Sequence, residues 1–275
     1  EYPIINADKC IKCGLCEKVC PVLNKGNQRR PLKVYAAKNR NEMDRLQSSS
    51  GGLFTLLAEQ VIHDGGVVFA VKYNTEAEAE FSYFEDIDSI DAFRGSKYVQ
   101  AKIGSSYIEA EKFLRKGKKV MFTGTPCQIL GLKLFLRKHY SNLLTVDFVC
   151  HGVPSPMVWR KYISEEADLR GVKMLSNINC RDKSSGWKCY SFSYQYADDK
   201  NNNIKVSTRF DENMYMKVFL SNLTLRSSCY CCPAKAGRSL SDITIGDFWG
   251  IDRLYPEFDD DKGVRYDITR QVEAV

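Results

Sequence analysis

The residues with the clearest chemical potential are the cysteines at 10, 13, 16 and 20, in DKCIKCGLCEKVCP (8–21). Three uses compete for thiols set so closely: a disulfide staple, a zinc site and an iron–sulfur cluster. The spacing C-x2-C-x2-C-x3-C followed by Pro21 is that of a cubane cluster. Two-residue gaps let a tightly turning backbone aim three thiolates into one hollow. Gly14 suits that turn because it tolerates positive φ. Zinc more often takes two C-x2-C pairs or a Cys/His mixture, and no His lies nearby. Disulfide frameworks favour short chains with an even count, whereas this chain has 275 residues and 11 cysteines. The run is read as a 4Fe-4S site.

One such run is half of a two-cluster ferredoxin, in which three cysteines hold one cluster and the fourth reaches the other. Cys10, Cys13 and Cys16 are expected to share a cluster; Cys20 either crosses to a second cluster or closes the first. A second ligand set is therefore expected. Cys127 and Cys150 each fall at or just past the end of an expected parallel strand, the edge where open α/β sheets bind ligands. Cys127 also opens a helix, whose dipole favours thiolate. Cys229 and Cys232 form a separate C-x2-C pair. The inventory is four plus four, eight thiolates for two 4Fe-4S clusters, with Cys180, Cys189 and Cys231 left over. Two other readings compete for Cys127 and Cys150: buried structural thiols, or a Cys–His nucleophile using His151.

The elements that must position these groups follow from periodicity. Strands are expected at 32–38, 67–73, 81–86, 118–125, 143–150 and 242–250. Helices are expected over 53–62, 105–116, 127–140, 156–169 and 213–222. YSFSYQYA and IKVSTRF flank a polar DDKNNN turn, a hairpin signal. The fold class is α/β: a mostly parallel sheet core with an added antiparallel hairpin and an N-terminal ferredoxin-like cluster-binding segment. Residues 1–30 are read as that segment and 31–275 as one further domain carrying the second 4Fe-4S ligand set.

The net charge of +6 includes a KGKK cluster at 116–119 and the pair Arg29–Arg30. No nucleic-acid-binding motif accompanies it, so these are solvated faces and no nucleic-acid partner is expected. No apolar run is long enough to span a bilayer, so no membrane insertion is expected. No signal peptide is recognisable, and the expected location is cytoplasmic.

TGTPCQILGLK (123–133), VCHGVPSP (149–156) and SDITIGDFWGI (241–251), with FRGSKYVQ (93–100) and SSSGG (48–52), resemble the family of coenzyme F420 hydrogenase/dehydrogenase beta subunits. With the N-terminal run, the resemblance extends from about residue 8 to 264. It implies FAD together with one or two 4Fe-4S clusters; spacing alone would not show the flavin. It also implies that sequence after DDDKGV continues into a further strand. The tail RYDITRQVEAV departs from that pattern, as a deletion or a missing segment would make it.

Neither G-x-G-x-x-G nor a Walker loop is present. Ser49, Ser50, Gly51 and Gly52 open a helix whose free amides suit an anion; a plain cap is the competing reading. Arg94, Ser96, Lys97 and Tyr98 belong to the second loop, with Arg94 and Lys97 expected to face phosphate or to pair at the surface. Thr123, Gly124, Thr125 and Gln128 surround Cys127 and are expected to line the flavin ring. His151 is either the proton donor or a structural residue. The implied function is an iron–sulfur flavoprotein oxidoreductase passing electrons from ferredoxin, or another redox protein, through two clusters to FAD. A small-molecule acceptor, not identified by the sequence, follows. A non-enzymatic electron-transfer subunit and a zinc-stabilised interaction module are the competing functions.

Overall fold

The computed structural model describes residues 4–269. In chain order, α1 (Leu15–Lys18) precedes β1 (Lys33–Ala37), α2 (Glu42–Gln47), α3 (Leu53–His63), β2 (Val67–Tyr73) and β3 (Ala79–Phe84). Then come α4 (Ser106–Arg115), β4 (Val120–Gly124), α5 (Pro126–Leu136), β5 (Leu143–Phe148) and α6 (Pro156–Leu169). The remainder is β6 (Ser176–Asp182), β7 (Ser191–Ala197), β8 (Asn203–Arg209), α7 (Met214–Leu220), α8 (Ser227–Tyr230), β9 (Ile243–Asp247), α9 (Ile251–Leu254) and β10 (Arg265–Thr269).

Seven strands form one sheet in the order β1-β10-β9-β5-β4-β2-β3. The central four, β9, β5, β4 and β2, are parallel; β3, β10 and β1 add antiparallel edges. A parallel centre is covered on both faces, so its strands are apolar throughout rather than alternating. Val67 and Phe69 pack with Phe122, Ile129 and Trp159 on one face. Val68 and Ala70 pack with Met121, Val146 and Ile245 on the other. The expected hairpin is present: β7 and β8 pair from Ser191–Arg209 to Ala197–Asn203, and β6 adds a third strand.

One helix end differs from the sequence expectation, and α2, β6, α8, α9 and β10 lie outside the expected elements. The helix after Cys127 ends at Leu136 rather than near 140, because Arg137 turns into the left-handed region at φ 57°. Residues 265–269 of the tail form β10, inserted between β1 and β9. Its partner on one side, β1, comes from the opposite end of the chain, which local periodicity does not reveal. The rest of the tail, 270–275, lies outside the described residues. The segment before β1 is tied down by Arg29, whose backbone N–H donates to Gly237 O at 3.2 Å and whose Nη2 donates to Ser241 O at 2.6 Å. Among the described residues, no helix is long and apolar enough to cross a membrane.

Candidate functional site

Parallel order places the ends of β4, β5 and β9 along one edge. The turns after β4 and β5 carry half of the site's thiols, and the α8 region carries the rest. After β4, Thr125 caps α5 and Pro126 occupies its first turn; the Gln128 side chain reaches back to the Thr125 N–H at 2.8 Å. This capping box satisfies helix-end donors and fixes Cys127 one residue inside the helix. The Thr125 hydroxyl lies 3.2 Å from Cys127 Sγ. After β5, Cys150 and Gly152 follow, Gly152 at φ 144°. A Cβ there would come within 2.8 Å of Leu225 and 3.3 Å of Cys229. That close approach brings α8 onto the β5 turn, with Arg226 N donating to Val153 O at 2.9 Å.

The result is one small hollow lined by Cys127, Cys150, Cys229, Cys232 and Lys235. Three distant segments therefore deliver four thiols to one place. Cys127 donates to the Cys232 sulfur, which holds Cys127 protonated and pulls Cys232 down to about 6. The Ala234 and Lys235 amides and the Lys235 charge act on Cys232 in the same sense. Burial pushes Cys150 up to about 11. Among the described residues, no three Cys, His, Asp or Glu side chains form a site for a metal ion. A single zinc ion would draw its sulfurs to about 2.3 Å from itself, whereas a cubane keeps its thiolates apart by the width of its core. The donor set is thus compatible with a cluster: soft thiolates, partial burial and an adjacent cation to offset negative charge. Lys235 was not singled out by sequence reasoning. Its signal was available, a lysine three residues beyond Cys232, but only folding brings its Nζ to the carbonyls of His151, at 3.2 Å, and Cys229, at 3.4 Å.

The N-terminal run is built differently. Gly14 takes φ 69°, as its turn requires, and caps α1. Cys10, Cys13 and Cys16 are exposed and Cys20 is half-buried. The leftover cysteines diverge from both groups in setting: Cys180 is buried in the core, 3.5 Å from the Tyr73 hydroxyl, while Cys189 and Cys231 are exposed.

The two loops expected near phosphate do meet. Ser49 Oγ accepts from Ser96 N at 2.6 Å and lies 2.9 Å from Ser96 Oγ. Ser50 is buried and donates to Val264 O at 3.2 Å. Gly51 packs against Ala37 O and Arg265 N, each 3.1 Å from where a Cβ would stand. Gly52, at φ 75°, begins α3. The charges expected to serve this loop are engaged elsewhere. Arg94 is bound to Asp44 at 2.5 Å, and also to Asp91, Gln47 and Thr55. Lys97 Nζ donates to the carbonyls of Ala92, Phe93, Arg94 and Gly95. The cation that does touch Ser50 is Lys183, with the charges of Arg181, Arg265 and Arg45 around it. Lys183 Nζ donates to Ser50 O at 3.0 Å, Lys262 O at 2.7 Å and Arg45 O at 2.5 Å. Sequence reasoning missed these four because they come from α2, β6, the turn after it and β10.

Tyr98 connects the two parts. Its hydroxyl lies beside Arg181, and its ring stacks on Phe219 at 4.8 Å. Phe219 in turn meets the His151 ring edge-on at 5.0 Å. His151 is exposed and adjoins Cys150. Thr123 and Gln128 are committed to backbone partners, Phe69 O and Thr125 N, so they shape the end of β4 rather than reach outward. Gly124 is confined by Gln128 and Phe81.

Comparison with known proteins places the chain in a family. Residues 117–272 match the family described as the C terminus of the coenzyme F420 hydrogenase/dehydrogenase beta subunit, and residues 3–23 match the 4Fe-4S binding domain. The chain is 23% identical over 145 residues to the F subunit of the F(420)H(2) dehydrogenase of Methanosarcina mazei. That match covers 51% of this chain and 41% of the relative. Among solved structures, a chain of the F420-reducing NiFe hydrogenase complex from Methanosarcina barkeri superposes with a TM-score of 0.56 at 16% identity. The match covers 89% of this chain and 76% of that one, a likeness of fold.

Proposed function

Because the chain belongs to the family of coenzyme F420 hydrogenase/dehydrogenase beta subunits, we propose that it is an iron–sulfur flavoprotein oxidoreductase with two 4Fe-4S clusters and FAD. The observation that carries this reading is the convergence of Cys127, Cys150, Cys229 and Cys232 on one hollow at the carboxyl edge of the sheet. Those four would hold the inner cluster; Cys10, Cys13 and Cys16 would hold the outer one, with Cys20 shared or closing it. Residues 1–30 then act as the cluster-binding segment and 31–275 as the catalytic domain. When bound, the clusters supply one-electron transfer and the flavin couples it to two-electron chemistry.

The chain's own residues fit the groups named. Exposure of Cys10, Cys13 and Cys16 suits exchange with a redox protein such as ferredoxin. Lys235 lowers the cost of anionic thiolates in a half-buried hollow. A flavin would lie along Ser49, Ser50, Ser96 and Tyr98, a stretch that reaches the thiols through Phe219 and His151. His151, exposed beside the hollow, is the group positioned to give or take a proton from a small-molecule acceptor. F420 stands in the names of the relatives; for this chain the acceptor is proposed only as a two-electron small molecule. Free thiols throughout the described chain fit a reducing cytoplasm.

The test is anaerobic purification followed by iron, sulfide and flavin analysis. The reading expects about eight irons from two cubanes and FAD released by heat. Full iron without released or rebound FAD would replace it by an electron-transfer subunit. Zinc without iron would leave only an interaction module.

A further inference from the structure

We propose that Arg181 and Arg265, with the charge of Lys183 behind them, form a subsite for the diphosphate of a bound ligand. The proposal deepens the flavoprotein reading and rests on it for the identity of the ligand; the charge argument itself does not require flavin. Arg181 and Lys183 lie at the end of β6 and just beyond it. Arg265 begins β10 directly opposite Asp247, the last residue of β9. Arg45 approaches from α2. Lys183, Arg181 and Arg45 are only 6%, 6% and 3% exposed.

Cations outnumber their carboxylates in this space. Asp247 pairs with Arg181 at 2.5 Å, and Asp260 pairs with Arg45 at 2.5 Å. Lys183 gives its three N–H groups to carbonyl oxygens and meets no carboxylate among the described residues, so it brings charge rather than a donor. Arg265 leans on an Asp247 already held by Arg181, and Arg181 repels it. Removing unbalanced cations from water is costly, by several kcal/mol for each ion in the general case. A fold that retains them uses them or spreads the cost.

Donor geometry points the same way. Arg181 Nε and Nη2, Arg45 Nε and Arg265 Nε are buried without hydrogen-bond partners among the described residues. The nearby Asn39 Nδ2, packed against Gly52, is also unpartnered. Buried donors are nearly always satisfied, so a set clustered around one loop is a set of sockets. Planar guanidinium forks match phosphate oxygens two at a time. Two negative charges would balance the surplus and supply acceptors to the orphaned N–H groups together. Asp247 and Arg265 are partly exposed, and the Arg181 guanidinium lies 5.5 Å from the Trp249 ring. Trp249 is 54% exposed and stacks on buried Trp187 at 4.4 Å.

Two sources share this chemistry: the diphosphate of a flavin dinucleotide and the phosphate of a soluble acceptor. The experiment uses the full chain with its clusters, stripped of any flavin, and titrates inorganic pyrophosphate, FAD and riboflavin by calorimetry. Thermal melting is recorded in parallel. The expected result is pyrophosphate binding that Arg265→Met weakens about tenfold or more, as loss of charged hydrogen bonds implies. Without ligand, that variant should melt at the same or a higher temperature, because a repelled cation has gone; iron content should not change. Arg265→Lys, which keeps charge but not the fork, should fall between. If FAD competes with pyrophosphate and riboflavin does not, the flavin is the source. If pyrophosphate binds through Arg265 while FAD does not compete, the subsite stands, the source is a phosphorylated acceptor and the flavin reading fails. FAD binding unaffected by both Arg265 variants would overturn the subsite and leave the flavin reading intact. Absence of pyrophosphate binding, or a lower ligand-free melting temperature in Arg265→Met with unchanged binding, would overturn it as well.

Discussion

The N-terminal run and the sheet-edge hollow carry the same number of cysteines and are assembled by opposite means. In the run, spacing within 11 residues sets the arrangement, and the thiols stay near the surface with Ile4, Ile5, Ile11 and Leu23 exposed around them. In the hollow, four thiols separated by up to 105 positions meet because β4, β5 and α8 converge. A local site borrows little from the fold, so losing it should cost little stability. An assembled site is part of the fold, so any metal it held would be linked to the packing of the segments it joins.

That contrast is most sharply broken by paired substitutions. Cys13→Ala and Cys229→Ala should each remove about half of the iron, one cubane of two. Their stabilities should differ. Cys229→Ala should lower the melting temperature and expose the 225–240 region to protease, since a cluster held there would tie α8 to the β5 turn. Cys13→Ala should leave the main transition nearly unchanged. Equal destabilisation by both, measured by melting with iron analysis on the same samples, would mean that the run is as integrated as the hollow. Retained iron in Cys229→Ala with loss in Cys231→Ala would overturn the ligand set.

A smaller effect separates ligands from bystanders. Cys180→Ala should keep all iron yet cost about 1–2 kcal/mol, because the thiol fills core space and contacts Tyr73. Cys189→Ala and Cys231→Ala, both exposed, should leave iron and stability within error. Iron loss in Cys180→Ala without loss of folding would place Cys180 among the ligands.

The same contrast explains what was legible beforehand. The run could be read because its meaning lies in local spacing and in one positive-φ position, Gly14. The parallel centre could be read because buried strands such as VVFAVKY are apolar on both faces. Cys127 and Cys150 could be placed because strand ends are recognisable, and strand ends share an edge. The cations around Ser50 could not be read. Arg265 reaches them only because β10 inserts between β1 and β9, and Lys183 only because β6 ends there. Arg94 and Lys97 looked suitable on charge alone, but charge in a sequence does not say where the side chain finds its partners. Asp44 and a ring of four carbonyls answered that.

The smallest expected effect is a slope. Burial, with repulsion from Arg181, Arg265 and Arg45, lowers Lys183 to about 7. Asp247 opposes this shift. A lysine depressed on folding binds its proton more weakly in the native state than in the unfolded chain. Between about 7 and the unfolded value of 10.5 the unfolded state therefore carries more protons. Stability should rise with pH across that window, and the penalty should be fully present below it. Lys97, lowered to about 7 chiefly by burial with only Cys180 opposing, adds a second contribution of the same sign. Urea unfolding of the cluster-loaded, ligand-free protein at neutral and alkaline pH should show this rise. Lys183→Met should flatten it without abolishing it, since Lys97 remains. An identical slope in the variant would mean that the three carbonyls around Lys183 keep its ammonium charged throughout. The positive surplus beside Ser50 would then persist at every pH at which the protein is folded.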